Sequence, residues 1–166
     1  MRARFVLILA LGVCCLGMGE KKLPVSVRFY TQTSSNDSDS FATAVTLLNG
    51  QQTTVDDIAA ISEHDIVAIF PFAAQDGSGG CSFQLDDHGT IGLDSLSSAK
   101  RGTLLIATID GRQLADLLID KRITDGVVTI PAGINTDEMK ELLKKYPVIG
   151  GKKKLKRNKD GYSSGF

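Results

Sequence analysis

The stretch that decides the fold spans residues 83–134 and reads FQLDDHGTIGLDSLSSAKRGTLLIATIDGRQLADLLIDKRITDGVVTIPAGI. Short apolar runs rich in β-branched residues predict strands, and Asp-Gly pairs at 110–111 and 125–126 predict the turns between them. Residues 88–101 follow the first of these strands and carry apolar residues at helical spacing. The order strand, helix, strand, turn, strand, turn, strand predicts an α+β module without an obvious catalytic group.

The helix in this stretch has recognisable boundary signals. Asp86 or Asp87 can cap its N-terminus, and Gly102 follows its predicted end at Arg101, where a left-handed residue commonly terminates a helix. Its buried face is predicted to consist of Ile91, Leu93, Leu96 and Ala99.

A second helix is predicted after residue 134. Glu138 follows Asn135 by three residues, which is the spacing of a capping box, and Pro147 ends the helix. Four apolar side chains then recur at helical spacing and predict a stripe of core residues: Met139, Leu142, Leu143 and Tyr146.

Further strands are predicted at residues 24–31, 65–72 and 81–86. Residues 65–72 are nearly all apolar, which predicts a strand buried on both faces, although Pro71 indicates an edge or a bulge. The glycine-rich segment 77–80 predicts a loose hairpin loop.

A hairpin is predicted around Asn49-Gly50, because the segments 41–48 and 51–55 flank this pair. Asn-Gly favours a two-residue turn in which both central residues have positive φ. With this hairpin, the whole chain predicts an α+β fold: a mainly antiparallel sheet of about six to eight strands, packed by two helices.

The first 19 residues predict a secretory signal peptide. Two arginines precede an apolar run at residues 5–13, and Gly-Met-Gly at 17–19 fits cleavage after Gly19. The run is shorter than the roughly 20 apolar residues that span a bilayer, and no second such run follows. Acylation of Cys14 or Cys15, as in a lipoprotein, is the alternative. We therefore expect an exported protein of the periplasm or cell envelope.

The charges divide the rest of the chain into an acidic body and a basic tail. Residues 20–150 contain 11 basic and 18 acidic residues, whereas residues 151–166 contain six basic residues and only Asp160 as an acid. We expect residues 20–149 to form a single domain and residues 150–166 to form a disordered tail. The basic residues of the tail are Lys152, Lys153, Lys154, Lys156, Arg157 and Lys159. Cys81 is the one cysteine outside the signal and is predicted to be a buried small hydrophobe.

Residues 83–149 resemble the head subdomain of the large first periplasmic loop of SecD/SecDF, the membrane component that assists protein export. The resemblance rests on the strand 83–86 followed by Gly89, on Arg101-Gly102 before a strand that ends in Ile-Asp-Gly-Arg at 109–112, and on the run 123–130 followed by Gly133 and a helix. We assign the head-like part to residues 81–149.

This resemblance implies a periplasmic α+β module that contacts other polypeptides. It does not extend to proton movement, because the transmembrane helices that carry this role in the family have no counterpart here. The residues that map onto the family pattern are structural, since they set turns and helix ends: Gly89, Gly102, Asp110, Gly111 and Gly126.

Few side chains suggest catalysis or metal binding. His64 and His88 are the only histidines, and both have acidic neighbours. An enzyme hypothesis would need Asp86, His88 and His64 to converge, but nothing in their spacing demands this. We therefore expect solvated histidines, no enzyme activity, and no bound cofactor or metal.

Three functional hypotheses follow. The first is a protein-interaction module that binds another envelope protein or an extended polypeptide by adding it to an open sheet edge. The candidate edges are the strand Leu114–Ile119 and the first strand from Val25. The second is an envelope-surface binder whose basic tail contacts anionic lipid or cell-wall polymer. The third is the enzyme with the histidine site.

Overall fold

The computed structural model describes residues 24–33 and 42–150. This part of the chain contains eight strands and two helices. In chain order they are β1 (Val27–Thr33), β2 (Ala42–Thr46), β3 (Gln52–Asp56), β4 (Ile66–Ala73), β5 (Gly79–Leu85), α1 (Asp87–Ala99), β6 (Leu104–Ile109), β7 (Arg112–Leu118), β8 (Val127–Ile134) and α2 (Thr136–Lys145).

The strands form two antiparallel sheets rather than one. The larger sheet has the order β2-β3-β1-β6-β7, and the smaller has the order β4-β5-β8. The α+β class with mainly antiparallel pairing, eight strands and two helices is therefore confirmed.

The main core lies on one face of the larger sheet. Val27, Phe29 and Thr31 alternate along β1 and are buried, as strand geometry requires for side chains that share a face. Phe29 meets Phe83 of β5 edge to face, with ring centroids 6.0 Å apart. This aromatic contact joins the two sheets at the centre of the core.

The β2–β3 hairpin belongs to the larger sheet, and its apolar side chains pack on the face of β6 opposite the main core. Leu47 and Val55 of the hairpin pack with Ile106 of β6 to form a second, smaller apolar cluster. The predicted two-residue turn is wrong, because Leu47 N–H bonds Gln51 O and only Gly50 of the loop has positive φ, at 84°. The connection is therefore a three-residue loop with glycine in the left-handed position.

β4 is an edge strand and is not buried on both faces, which corrects the prediction from its apolar sequence. Val67 and Phe70 are 46% and 51% exposed. Pro71 gave the correct indication, since proline lacks an N–H and suits an edge. On its outer side, β4 pairs with Val148 through a single parallel bridge.

Helix α1 has the predicted cap, since the Asp86 side chain accepts a bond from Gly89 N–H. Its buried face differs from the prediction: Leu93 and Ser97 are buried, whereas Ile91 is 68% exposed. Ser97 can be buried because its hydroxyl donates to Asp94 O and accepts from Ile123 N–H.

The predicted turn residues take special backbone conformations. The φ angles of Gly102, Asp110, Gly111 and Gly126 are 85°, 50°, 78° and 64°. Gly89 lies inside the first turn of α1, where an added Cβ would come within 2.9 Å of Asp65 Cβ. Its role in the fold is close packing of α1 rather than a turn.

Candidate functional site

An apolar groove lies between the β4–β5 hairpin, the end of β8 and α2. It has a volume of about 720 Å³. The side chains and backbone that line it include Phe72, Gly79, Ile134, Met139, Lys140 and Leu143. Its size falls within the range of about 300–1,000 Å³ that is typical of ligand sites. We call it the apolar groove.

Gly79 of β5 lines the apolar groove, and its neighbour Gly80 is buried beneath Phe72. A Cβ on Gly80 would lie 2.2 Å from the Phe72 ring and 2.6 Å from Pro131 O. A Cβ on Gly79 would lie 2.8 Å from Met139 Cε. Phe72 and Met139 therefore pack directly on the β5 backbone, which only glycine allows at this distance.

The first turn of α2 fixes the helix beside the groove. Asn135 accepts from Glu138 N–H at 2.8 Å, and Glu138 accepts from Asn135 N–H at 2.9 Å, so the predicted capping box is confirmed. Glu138 also pairs with Arg112 of β7 at 2.6 Å, and Arg112 donates to Gly133 O at 2.9 Å. One arginine therefore links β7, β8 and α2.

The apolar stripe of α2 divides between core and groove. Leu142 and Tyr146 are buried, as predicted. Met139 is half-buried, packs against the main core and also lines the groove. Leu143 lines the groove and is 44% exposed, so its assignment to the core is wrong. Helical spacing identifies the apolar face, but it does not show where the covering sheet ends.

The two candidate edge strands have different positions. β7 is an edge of the larger sheet, whereas β1 is its central strand, paired with β3 and β6. The expectation that the first strand offers an open edge is therefore wrong. Along this strand Val27 and Phe29 lie in the main core, whereas Tyr30 on the other face packs against the second apolar cluster.

Within the part of the chain that the structure describes, one group of side chains with the spacing to hold a metal ion lies near the start of α1. Atoms of Asp65, Asp86 and His88 lie within 4.8 Å of one another. The enzyme hypothesis named His64 as the third member, but the group contains Asp65 instead. His88 Nδ1 lies 3.1 Å from Asp65 Oδ1, and Ser62 N–H donates to Asp65 Oδ2 at 2.8 Å. The hydrogen bonds and the α1 cap account for this arrangement.

The Asp65 carboxyl is partly buried and accepts hydrogen bonds. Burial would raise the pKa of the Asp65 carboxyl, but hydrogen bonds from Ser62 and His88 outweigh this effect and lower it. His88 is exposed and lies on the surface. His64 is also exposed.

Cys81 lies in the central strand of the smaller sheet and is fully buried. Burial raises the pKa of its thiol to about 12. A buried thiol of this kind is a poor nucleophile, because the thiolate is the reactive form.

Three predictions from sequence fall outside the described residues: the signal peptide, the acylation of Cys14 or Cys15, and the basic tail from Lys152 to Lys159. They remain predictions. Within residues 24–33 and 42–150, neither helix has the length and apolar character needed to cross a bilayer.

Among the solved structures that resemble this protein are two of SecDF. One is described as the structure and function of a membrane component SecDF that enhances protein export, and the other as SecDF in a super-membrane-facing form. Each is 14% identical to this chain, with a TM-score of 0.53 over 75% of it. The match covers 64% of the first solved chain and 19% of the second. No protein-family model and no curated relative matches. The chain therefore has the fold of part of SecDF, and this likeness extends well beyond the segment in which the sequence resemblance was found.

Proposed function

We propose that this protein is an exported, non-catalytic module that holds an extended polypeptide segment in the apolar groove. The main support for this proposal is the exposed apolar surface in and beside the groove. Leu143 is 44% exposed within the groove, and Phe70 of β4 is 51% exposed two residues before Phe72. Alternation along a strand puts Phe70 and Phe72 on one face, so the apolar surface continues beyond the groove.

The likeness to SecDF supports a partner of this kind. SecDF is described as a component that enhances protein export, and polypeptides in transit expose apolar side chains in extended segments. An apolar groove can take such side chains without reading a particular sequence. The edge of β7 offers main-chain groups to the same class of partner.

A direct binding measurement tests the groove. The probe is a fluorescein-labelled peptide of about 15 residues that alternates Leu and Ser and has no fold of its own. We expect Leu143→Glu to weaken binding by at least about tenfold in fluorescence anisotropy, because it removes apolar contact and introduces a charge.

Ile91→Glu is the matched control. Ile91 is 68% exposed on α1 and does not line the groove, so this variant should bind as the parent protein does. Equal affinity of the Leu143→Glu variant and the parent would exclude the groove as the binding site.

Export is tested separately. We propose that residues 1–19 are removed on export and that residues 20–149 form the working domain. Intact-mass analysis after expression in a bacterium should find a chain that begins at Glu20 in the osmotic-shock fraction. An acylated Cys14 or Cys15 would favour the lipoprotein alternative, and an uncleaved cytoplasmic chain would contradict export.

A further inference from the structure

Two further cavities lie beside the β2–β3 hairpin and share no lining residue with the apolar groove. The first, between the hairpin and strands β1, β6 and β7, has a volume of about 330 Å³ and is lined by Tyr30, Val45 and Ile106 among others. The second has a volume of about 410 Å³ and contains Ile58 and Leu96. We call them the two hollows.

Asp56 and Asp57 lie between the two hollows, because both residues line both cavities. On each side of this carboxylate pair there are apolar side chains. Ile58, on the second side, is 80% exposed. A ligand that reaches the carboxylates therefore has an apolar surface available in both directions.

The lining of the two hollows is acidic, and the Arg28 guanidinium lies near Tyr30 outside this lining. The described residues that line the two hollows are apolar, neutral or acidic. Lys100 Nζ lies 3.0 Å from Asp56 Oδ2 and compensates that carboxylate. Asp57 is exposed and accepts a hydrogen bond from the Thr43 hydroxyl, which is uncharged. Asp57 can thus accept an ammonium group without displacing Lys100.

We propose that the two hollows bind a polypeptide segment in which a lysine is flanked by apolar residues. The ammonium group pairs with Asp57, while the aliphatic stem lies against Tyr30, as long basic side chains do on apolar surface. The flanking apolar side chains enter the hollows. Lys100 on Asp56 shows the same pairing within the chain.

This site is independent of the apolar groove and adds a charge requirement that the groove lacks. Each hollow is near the lower end of the volume range for ligand sites. Each hollow therefore suits one or two side chains of an extended polypeptide segment rather than a folded partner.

The probe is the peptide acetyl-Gly-Leu-Lys-Val-Gly-amide, compared with the same peptide carrying norleucine in place of lysine. Norleucine keeps the aliphatic stem and removes the charge. In titrations followed by amide NMR, we expect the lysine peptide to shift the resonances of Val45, Ile106 and Ala60 saturably. The norleucine peptide should bind about fivefold or more weakly, and added salt should reduce this difference.

Asp57→Asn should remove most of the preference for lysine, whereas Asp120→Asn, at an exposed position outside both hollows, should leave it unchanged. Leu143→Glu, which lies in the apolar groove, should also leave it unchanged, so failure of one site is distinguishable from failure of the other. Equal binding of the two peptides, or shifts confined to other surfaces, would overturn the proposal. Butylammonium binding as tightly as the lysine peptide would overturn its polypeptide part.

Discussion

Gly126 has a φ of 64° and lies directly against Thr90 of α1. A Cβ at this position would come within 2.1 Å of Thr90 Oγ1. An L side chain there has both an unfavourable backbone conformation and a steric clash. Because Gly126 directly precedes β8, its contact with Thr90 holds the start of this strand against α1.

We expect Gly126→Ala to lower the free energy of unfolding by about 2–4 kcal/mol. Gly92→Ala is the control, since Gly92 lies in exposed helix with open space around its Cβ position. That change should stabilise the protein by roughly 0.5–1 kcal/mol, because alanine favours helix. Urea unfolding measures both, and a neutral Gly126→Ala variant would contradict the contact.

Two buried groups, the Cys81 thiol and the Tyr146 phenol, should make the protein less stable at alkaline pH. Burial raises the pKa of the Cys81 thiol to about 12, and burial followed by the nearby Glu63 charge raises the pKa of the Tyr146 phenol to about 12. In the unfolded chain these groups titrate near about 8.5 and 10. The unfolded state loses its protons first, so stability is full below about pH 8.5 and falls as the pH rises toward 12.

Urea unfolding at pH 8, 9.5 and 11 should show this decline in the parent protein. Cys81→Ala and Tyr146→Phe each remove one titrating group and should each make the decline shallower. Identical pH dependence in all three proteins would show that these groups do not cause it.

At the scale of elements, the start of α2 rests on a reciprocal cap. Asn135 accepts from the N–H groups of Asp137 and Glu138. Without the cap, these donors at the end of a short helix lose their side-chain partner. The same turn borders the apolar groove, so its order matters for the proposed site.

Asn135→Ala should reduce the free energy of unfolding by about 1 kcal/mol. Asn135→Ser should recover most of this loss, because serine also caps helices. Thermal unfolding compares the variants, and equal stability of the alanine and serine variants would mean that the cap contributes nothing measurable.

At the scale of the whole molecule, Arg112 connects the two sheets. It belongs to β7 of the larger sheet, yet it bonds Gly133 O of β8 and the Glu138 carboxylate of α2. Bidentate guanidinium contacts of this kind are among the stronger polar contacts in proteins. Arg112 therefore contributes to how the sheets are held beside the groove.

Arg112→Ala should destabilise the protein by about 1–2 kcal/mol, since it also leaves Glu138 without this partner. Lys144→Ala is the control, because Lys144 pairs with Glu141 within α2, and exposed pairs of this kind contribute about 0.2–0.5 kcal/mol. Urea unfolding should separate the two variants clearly. Similar effects would show that Arg112 acts as an ordinary surface charge.

Features that depend on nearby residues could be predicted from sequence. The cap of α2 needs only the Asn135 and Glu138 side chains, and its geometry agrees with the prediction. The α+β class could likewise be predicted from the spacing of apolar residues, the turn residues and the helix caps. Asp86 as the cap of α1 is a further local case.

Sheet order and exposure belong to the tertiary structure, because they depend on pairing between distant segments. The alternation of apolar and polar residues is the same in an edge strand and in a central strand, so the sequence did not place β1 at the centre of its sheet. The apolar spacing of α2 likewise could not show that Leu143 lines the groove instead of the core. Gly79 and Gly80 were predicted to lie in a loop, yet they begin β5, and their close neighbours come from the distant elements β4, β8 and α2.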